Sequence, residues 1–349
     1  MSEIVPHLKT RDPSGKIREY REPAVVLDFD IGLRPVLVLL EDGSNGRGTC
    51  LGCHDAPCMT LAEEEMVLPD AFEEFPGDPS KDVCPTGAIA WNATDDAVVV
   101  DSNACIGCGL CVARCPYGAV SLNHEGVAVV ECEDPDDLTV AAEGGVGVAK
   151  HERPWTEGRI GPTDRQVLHQ IPDAIDKLDS HVGNRLVRNL LIECGIRCRT
   201  RRTGDPNVRM DGVLATDDGR LGVLEIELGN DVLESPRSLL EDVAVLHGRY
   251  DIDVESIDPV SVITRLPNFR SEYFRVMDDI EDVLNLRCRT VTVGALLAVL
   301  WQLETIEGFT GDLFATSLDS TDLLPAMRYY LSASLPTEDP YPGAYRPSK

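Results

Sequence analysis

Between Cys105 and Pro116 the chain reads CIGCGLCVARCP. Four cysteines fall within eleven residues, spaced C-x2-C-x2-C-x3-C, and a proline follows the last. Thiolates at every third residue can wrap one corner of an iron–sulfur cubane, while the fourth, followed by proline, is turned towards a second cluster. Zinc is the competing reading, but structural zinc sites usually show two separated C-x2-C pairs. Gly107 and Gly109 let the backbone turn tightly and bring its N–H groups towards the sulfides.

A partner half lies upstream. Cys84 opens CPTGAI and Cys115 opens CPYGAV, two copies of one motif, and Cys50, Cys53 and Cys58 precede Cys84 in the spacing C-x2-C-x4-C. Residues 48–130 thereby resemble the two-cluster [4Fe–4S] bacterial-type ferredoxin family, a pseudo-twofold repeat. The resemblance implies crossed ligation of two [4Fe–4S] clusters. Cys50, Cys53, Cys58 and Cys115 would hold one, and Cys84, Cys105, Cys108 and Cys111 the other. It further implies electron transfer and a redox partner protein. The first half departs from the pattern: two extra residues precede its third cysteine, and 25 residues separate Cys58 from Cys84.

At 349 residues the chain is long enough for two domains. Its formal charge is −28, from 60 acids against 32 bases, which disfavours non-specific binding of the whole surface to nucleic acid or anionic membrane. Twelve cysteines and no secretory signal at the N-terminus fit a reducing, cytoplasmic setting. No apolar run of membrane-spanning length occurs, so no membrane contact is expected. Cys132, Cys194, Cys198 and Cys288 remain outside the cluster set and read as small buried apolar residues.

The expected fold class is α+β, a ferredoxin-like dicluster domain over residues 1–135 followed by an α/β domain. Ala24–Asp28, Pro35–Leu40, Ala97–Asp101 and Val127–Val130 read as strands of the first domain. The segment 59–83 carries eight acids against Lys81 and reads as a solvated insert or as a docking face for a basic redox partner. Residues 136–162 look like a linker, crowded with acids, glycine and proline. The second domain is expected over 163–330, with a tail over 331–349. Its elements read as a helix that Pro172 breaks or kinks, a helix ending at Gly195, and strands Val213–Thr216 and Leu221–Leu228 joined at Asp218-Gly219. A helix to Tyr250, a strand Val260–Thr264, a helix Tyr273–Leu284 and a strand Thr290–Val293 follow.

A second candidate site lies on that hairpin. Asp211 begins its first strand, in the stretch MDGVL, and Glu225 and Glu227 share one face of the second, because side chains alternate along a strand. Three converging carboxylates would suit Mg²⁺ or Mn²⁺. The arrangement over residues 180–293 resembles the PD-(D/E)xK restriction-endonuclease-like fold. That likeness implies Asp211 and Glu225 as metal ligands with catalytic roles, and Glu227 stands where the family usually has Lys. Seven arginines between Arg185 and Arg209 form a basic island just before this site, able to hold phosphates or to pair with surrounding acids. Three functions stay open: a redox carrier or redox subunit, a nucleic-acid-binding or metal-dependent nuclease protein with bracing or regulatory clusters, and a binding module with purely structural clusters.

Overall fold

The structure, a computed structural model, describes residues 7–11, 17–20, 37–39, 57–92, 97–114, 120–122, 128–130, 139–141 and 165–347, apart from 206, 230, 231, 303, 332–334 and 336–338. The protein divides into two compact units. One comprises Met1–Leu61 and Lys81–Asp164, the other Ala62–Ser80 and Arg165–Lys349. The fold is α+β. The expected strand Ala24–Asp28 lies outside the described residues, as do Cys50, Cys53, Cys115 and Cys132.

In the first unit, β1 (His7–Arg11), β2 (Ile17–Tyr20), β3 (Leu37–Leu39) and, later in the sequence, Thr139–Ala141 form an antiparallel sheet. Part of the expected linker is therefore a strand, paired to β3. Two further hairpins frame the cysteine run. In the first, β4 (Ile89–Asn92) pairs with β5 (Ala97–Val100), Ile89 opposite Val100. A short helix α1 (Leu110–Arg114) follows, and then β6 (Val120–Leu122) pairs with β7 (Ala128–Val130). The strand Thr139–Ala141 of the first sheet is β8.

The second unit begins with the acidic segment 62–80, grouped by sequence with the first domain. Its acids suggest a solvated loop, yet Met66, Phe72 and Phe75 are buried, and the Phe72 ring meets Tyr250 edge-on at 6.0 Å. An apolar residue every few positions outweighs the charges between them, since burying each such side chain is worth about 1.5–3 kcal/mol. Asp78 N–H donates to the Thr200 carbonyl and Arg202 N–H to the Pro76 carbonyl, so the segment runs along a sheet edge.

Helices α2 (Arg165–Ile175) and α3 (Ser180–Glu193) precede β9 (Arg197–Thr200), β10 (Gly212–Ala215) and β11 (Leu221–Glu227), which are antiparallel. Helix α4 (Ser235–Tyr250) crosses to β12 (Ile257–Ile263), parallel to β11, and α5 (Glu272–Leu284) crosses to β13 (Arg289–Thr292), parallel to β12. The resulting sheet is mixed, in the order β13-β12-β11-β10-β9. Every residue of β12 is buried; because neighbours point to opposite faces, this strand is covered on both sides. Helix α4 packs on β11 and β12, and α3 packs on β9 and on α6 (Val293–Trp301), which Thr292 caps by accepting the Ala295 N–H at 3.0 Å. A last helix, α7, spans Leu324–Tyr330.

Two expectations are corrected here. Of the break or kink expected at Pro172, the break is ruled out, because α2 runs on through it: proline removes one donor, but its carbonyl still accepts the Asp176 N–H at 2.9 Å. The segment 331–349 is not a tail. Tyr341 and Tyr345 are buried, Tyr341 donates its hydroxyl to the Thr264 carbonyl at 2.5 Å, and the Gly343 carbonyl accepts the Leu266 N–H.

Candidate metal centre

The β4–β5 hairpin explains how cysteines far apart in sequence converge. Ile89 faces Val100, and Asp101 N–H donates to the Ala88 carbonyl at 2.8 Å, so the stretch leading into β4 and the stretch leaving β5 lie side by side. Cys84 stands on the first and Cys105 on the second. After Cys105 the backbone turns through Gly107 (φ 70°) and Gly109 (φ 82°), both in the left-handed region that side-chain-bearing residues avoid. That turn delivers Cys108, and Cys111 follows in α1. Cys84, Cys105, Cys108 and Cys111 line one cavity, whose remaining wall includes Ile89, Val100, Ile106, Leu110 and Leu122.

The 25-residue separation between Cys58 and Cys84 is closed at its base. Leu61 N–H donates to the Lys81 carbonyl at 2.8 Å and Val83 N–H to the Met59 carbonyl at 2.9 Å, around a bridge between Thr60 and Asp82. Residues inserted beyond such a closed neck add little closure entropy and leave the flanking positions together. Buried Arg114, at the end of α1, donates from Nε to the Pro57 carbonyl at 2.5 Å and so anchors the residue before Cys58.

The donor set suits an iron–sulfur cluster. Burial first, then neighbouring Cys84, raises the Cys108 thiol far above its ordinary range. Cys111 is raised likewise, by burial and then by Cys108, Cys58, Cys84 and Cys105. Thiolates crowded into an apolar site are unfavourable alone and become favourable beside bound cations, which displace the protons. None of the eight described cysteines is in a disulfide. Cys84 Sγ also accepts the Ala88 N–H at 3.2 Å and lies 3.5 Å from Thr86 Oγ1.

Cys194, Cys198 and Cys288 are buried in the second unit, and burial pushes the Cys198 and Cys288 thiols up to about 12. They are packing residues, as the sequence indicates.

The carboxylates form a different arrangement. Gly212 pairs with Leu224, which sets Asp211 beside the Glu225–Ile226 stretch. Asp211 is committed to protein partners: Oδ2 accepts the Ile226 N–H at 3.0 Å, and Oδ1 lies 3.1 Å from Arg201 Nη2. Burial pushes Glu225 up to about 8, assisted by Asp211 and Asp242, while a hydrogen bond from Ser238 opposes the rise. Asp242 on α4 is 1% exposed, and burial raises it to about 7 against the pull of Arg209, whose Nε is 3.6 Å away. Sequence reasoning missed Asp242, since nothing in SPRSLLEDVAVLHGRY marks that position as facing Glu225. Glu227 accepts the Gly229 N–H at 3.0 Å. Among the described residues, no three His, Cys, Asp or Glu side chains are drawn together as ligands of a single ion. Thiolates of a four-iron cluster each bind a different iron and need no such close approach.

Much of the basic island is neutralised internally. Arg188 is fully buried with Asp78 at 3.7 Å, Arg185 approaches the same carboxylate at 3.8 Å, and Arg209 pairs with Glu241. Arg199 donates to the Met66 carbonyl at 3.0 Å.

The family described as "4Fe-4S dicluster domain" matches residues 81–119, the stretch that supplies all four cavity cysteines. The protein carries a ferredoxin-type iron–sulfur domain. An uncharacterized ferredoxin of Methanocaldococcus jannaschii is 32% identical over 82 residues, 24% of this sequence and 48% of the relative. One component of the anaerobic dimethyl sulfoxide reductase of Escherichia coli is 37% identical over 82 residues, 24% of this sequence and 38% of its own. One component of the tetrathionate reductase of Salmonella typhimurium is 37% identical over 67 residues, 19% of this sequence and 26% of its own. The protein thus spans about half or less of the length of these relatives. No solved structure matches it. Among the described residues no helix is long and apolar enough to cross a membrane.

The ferredoxin-type domain is of electron-transfer type, and its cofactor is [4Fe–4S]. Hydrogen bonds to ligand sulfur are one of the levers on its potential. Were Cys84 to ligate the cluster, its sulfur would have no proton to give and Thr86 would be the donor across the 3.5 Å contact. Thr86→Val removes that donor at constant shape. Because a hydrogen bond to sulfur favours the more negative, reduced state, the potential should fall by about 20–60 mV, the one-electron equivalent of a typical net hydrogen bond. Protein-film voltammetry on both variants reads the shift; an equal or higher potential in Thr86→Val would show that Thr86 does not tune the cluster.

Proposed function

We propose that this protein is a cytoplasmic electron-transfer subunit holding two [4Fe–4S] clusters, with a second unit that docks a redox partner protein. The observation that carries the reading is the convergence of Cys84, Cys105, Cys108 and Cys111 on one apolar-walled cavity, with Cys58 close enough to Cys111 to raise its pKa. In this reading Cys84, Cys105, Cys108 and Cys111 hold one cluster. Cys58 belongs to the other, together with Cys50, Cys53 and Cys115, which lie outside the described residues. A bound [4Fe–4S] cluster supplies reversible one-electron transfer. The protein's own residues supply the thiolates, the Gly107 and Gly109 turn, the sulfur hydrogen bonds of Ala88 and Thr86, and an apolar wall that keeps water from the site. The names of the reductase components among the relatives support a partner of the reductase kind. Anaerobic reduction followed by electron paramagnetic resonance tests the role. Two mutually coupled paramagnets should form and vanish reversibly, and irreversible cluster loss on reduction would contradict an electron-transfer role.

A second reading concerns the second unit and is favoured by one observation, the raised Glu225 and Asp242 carboxyls beside Asp211. Carboxylates that repel one another in a half-buried site gain from a divalent cation. On the restriction-endonuclease-like reading, Asp211, Glu225 and Glu227 would then serve Mg²⁺- or Mn²⁺-dependent cleavage of nucleic acid. Cleavage of DNA or RNA by wild type that disappears in Glu225→Gln is the expected result on this reading. Absence of cleavage by a fully loaded wild type removes it.

A further inference from the structure

The second unit holds a cavity of about 280 Å³ between the start of α3 and the loop that follows β9. Its size is close to the ~300 Å³ at which small-molecule sites begin. Ser180, His181, Asn184, Arg202 and Thr203 line it, and among the described residues none of these five side chains makes a hydrogen bond or ion pair. Ser180, His181, Arg202 and Thr203 are exposed and Asn184 is half-buried, so solvent reaches these groups and they are free to turn to a ligand that enters the concave surface.

Arg202 is the charged group of this wall that has no carboxylate partner among the described residues. Of the two acids that line it, Asp78 already faces Arg185 and Arg188, and Asp205 Oδ1 accepts the Asn207 N–H at 2.9 Å. Arg201 shares its charge with Asp211 and gives Nη1 to the Val208 carbonyl at 3.4 Å, whereas the Arg202 guanidinium is uncommitted among the described residues. The fourteen-residue helix α3 adds the positive end of its dipole, since Asp179 makes no side-chain cap. These groups stand together in a protein whose net charge is −28.

Donor number and placement narrow the anion further. A planar carboxylate offers two oxygens to one guanidinium fork. A phosphate group offers three or more, arranged tetrahedrally, and can use a fork together with hydroxyls and an imidazole that approach from other sides. Arg202 supplies the fork, Ser180 and Thr203 the hydroxyls, and His181 the ring.

We propose that this cavity binds a phosphate group, free or carried by a small phosphorylated molecule, with Arg202 as its principal charge partner. The loop that brings Arg202 is anchored by the Arg202 N–H to the Pro76 carbonyl, so the 62–80 segment shapes the site as well. The site lies within the second unit and does not rest on the electron-transfer reading.

Anaerobic titration calorimetry on the full-length protein with clusters loaded tests the proposal, using inorganic phosphate, adenosine monophosphate and succinate as probes. Wild type should bind phosphate or the monophosphate, with succinate at least about tenfold weaker. Arg202→Gln should weaken the phosphate probe about tenfold or more, the loss of one charge-assisted contact. Tighter binding of the monophosphate than of phosphate would assign an organic phosphate, and equal affinities the free ion. Should Arg202→Gln lose its wild-type melting transition, Thr203→Val provides the same test with a smaller loss. The proposal is overturned if wild type binds neither phosphate probe, if succinate binds as tightly, or if a folded Arg202→Gln variant binds phosphate as wild type does. Binding of a single-stranded oligonucleotide without either phosphate probe also overturns it.

Discussion

Cys84→Ser should halve the iron of the anaerobically purified protein, from about eight to about four atoms, because two four-iron clusters are proposed and one loses a ligand. The loss should fall on the site of Cys105, Cys108 and Cys111, although Cys84 is more than twenty positions from the nearest of them. The β4–β5 ladder is the reason: it sets the backbone around Cys84 beside the backbone around Cys105, with the Ala88 carbonyl taking the Asp101 N–H. Serine preserves the acceptor for the Ala88 N–H but replaces a soft, easily ionised sulfur with a hydroxyl that binds iron poorly. Iron analysis with paramagnetic resonance of the variant distinguishes the sites. Loss of the other cluster alone, with the Cys105 site intact, would break the crossed assignment.

The second large effect is a loss of stability as pH rises. Glu225, ordinarily near 4.5, is pushed up to about 8, and Asp242, ordinarily near 3.8, to about 7. A carboxyl with a raised folded pKa binds its proton more tightly in the folded protein than in the unfolded one. Its full stabilising contribution is present below the unfolded pKa and is lost as pH climbs through the folded value. The second unit should therefore lose stability between pH 5 and pH 8.5, by about 2 kcal/mol after discounting the half-exposed Glu225 for solvent screening. That corresponds to a melting temperature lower by about 5 °C for a unit of this size. Glu225→Gln removes one of the crowded charges and should flatten the dependence while stabilising the unit at pH 8.5. Trp301, buried in α6, can report this unit alone once Trp91 and Trp155 are replaced by Phe. Stability that rises between pH 5 and 8.5, or an unchanged slope in Glu225→Gln, would contradict the carboxylate arrangement.

Whatever depends on local chemistry was legible in the sequence. Ligand spacing in CIGCGLCVARCP is such a signal, and so is Asp218-Gly219, where Gly219 turns at φ 86° between β10 and β11. The strands at 97–100 and 128–130 also lie where β-branched residues crowd. Elements made by their partners were illegible. β4 is four residues, IAWN, extended because AVVV pairs with it. β9, RCRT, alternates buried Cys198 and Thr200 with half-buried arginines, a strand pattern that the arginines disguise as a charged loop. The acids of 62–80 advertise solvent, while Phe72 and Phe75 decide where the segment goes. Asp242 needed tertiary structure to reveal it, because only the packing of α4 on β11 brings it near Glu225.

Iron and acid-labile sulfide per molecule, measured on protein purified without oxygen, test the central claim most directly. Two clusters predict about eight of each. About four of each, in a protein that is otherwise folded and reducible, would leave one cluster at Cys84, Cys105, Cys108 and Cys111 and contradict the role proposed for Cys50, Cys53, Cys58 and Cys115.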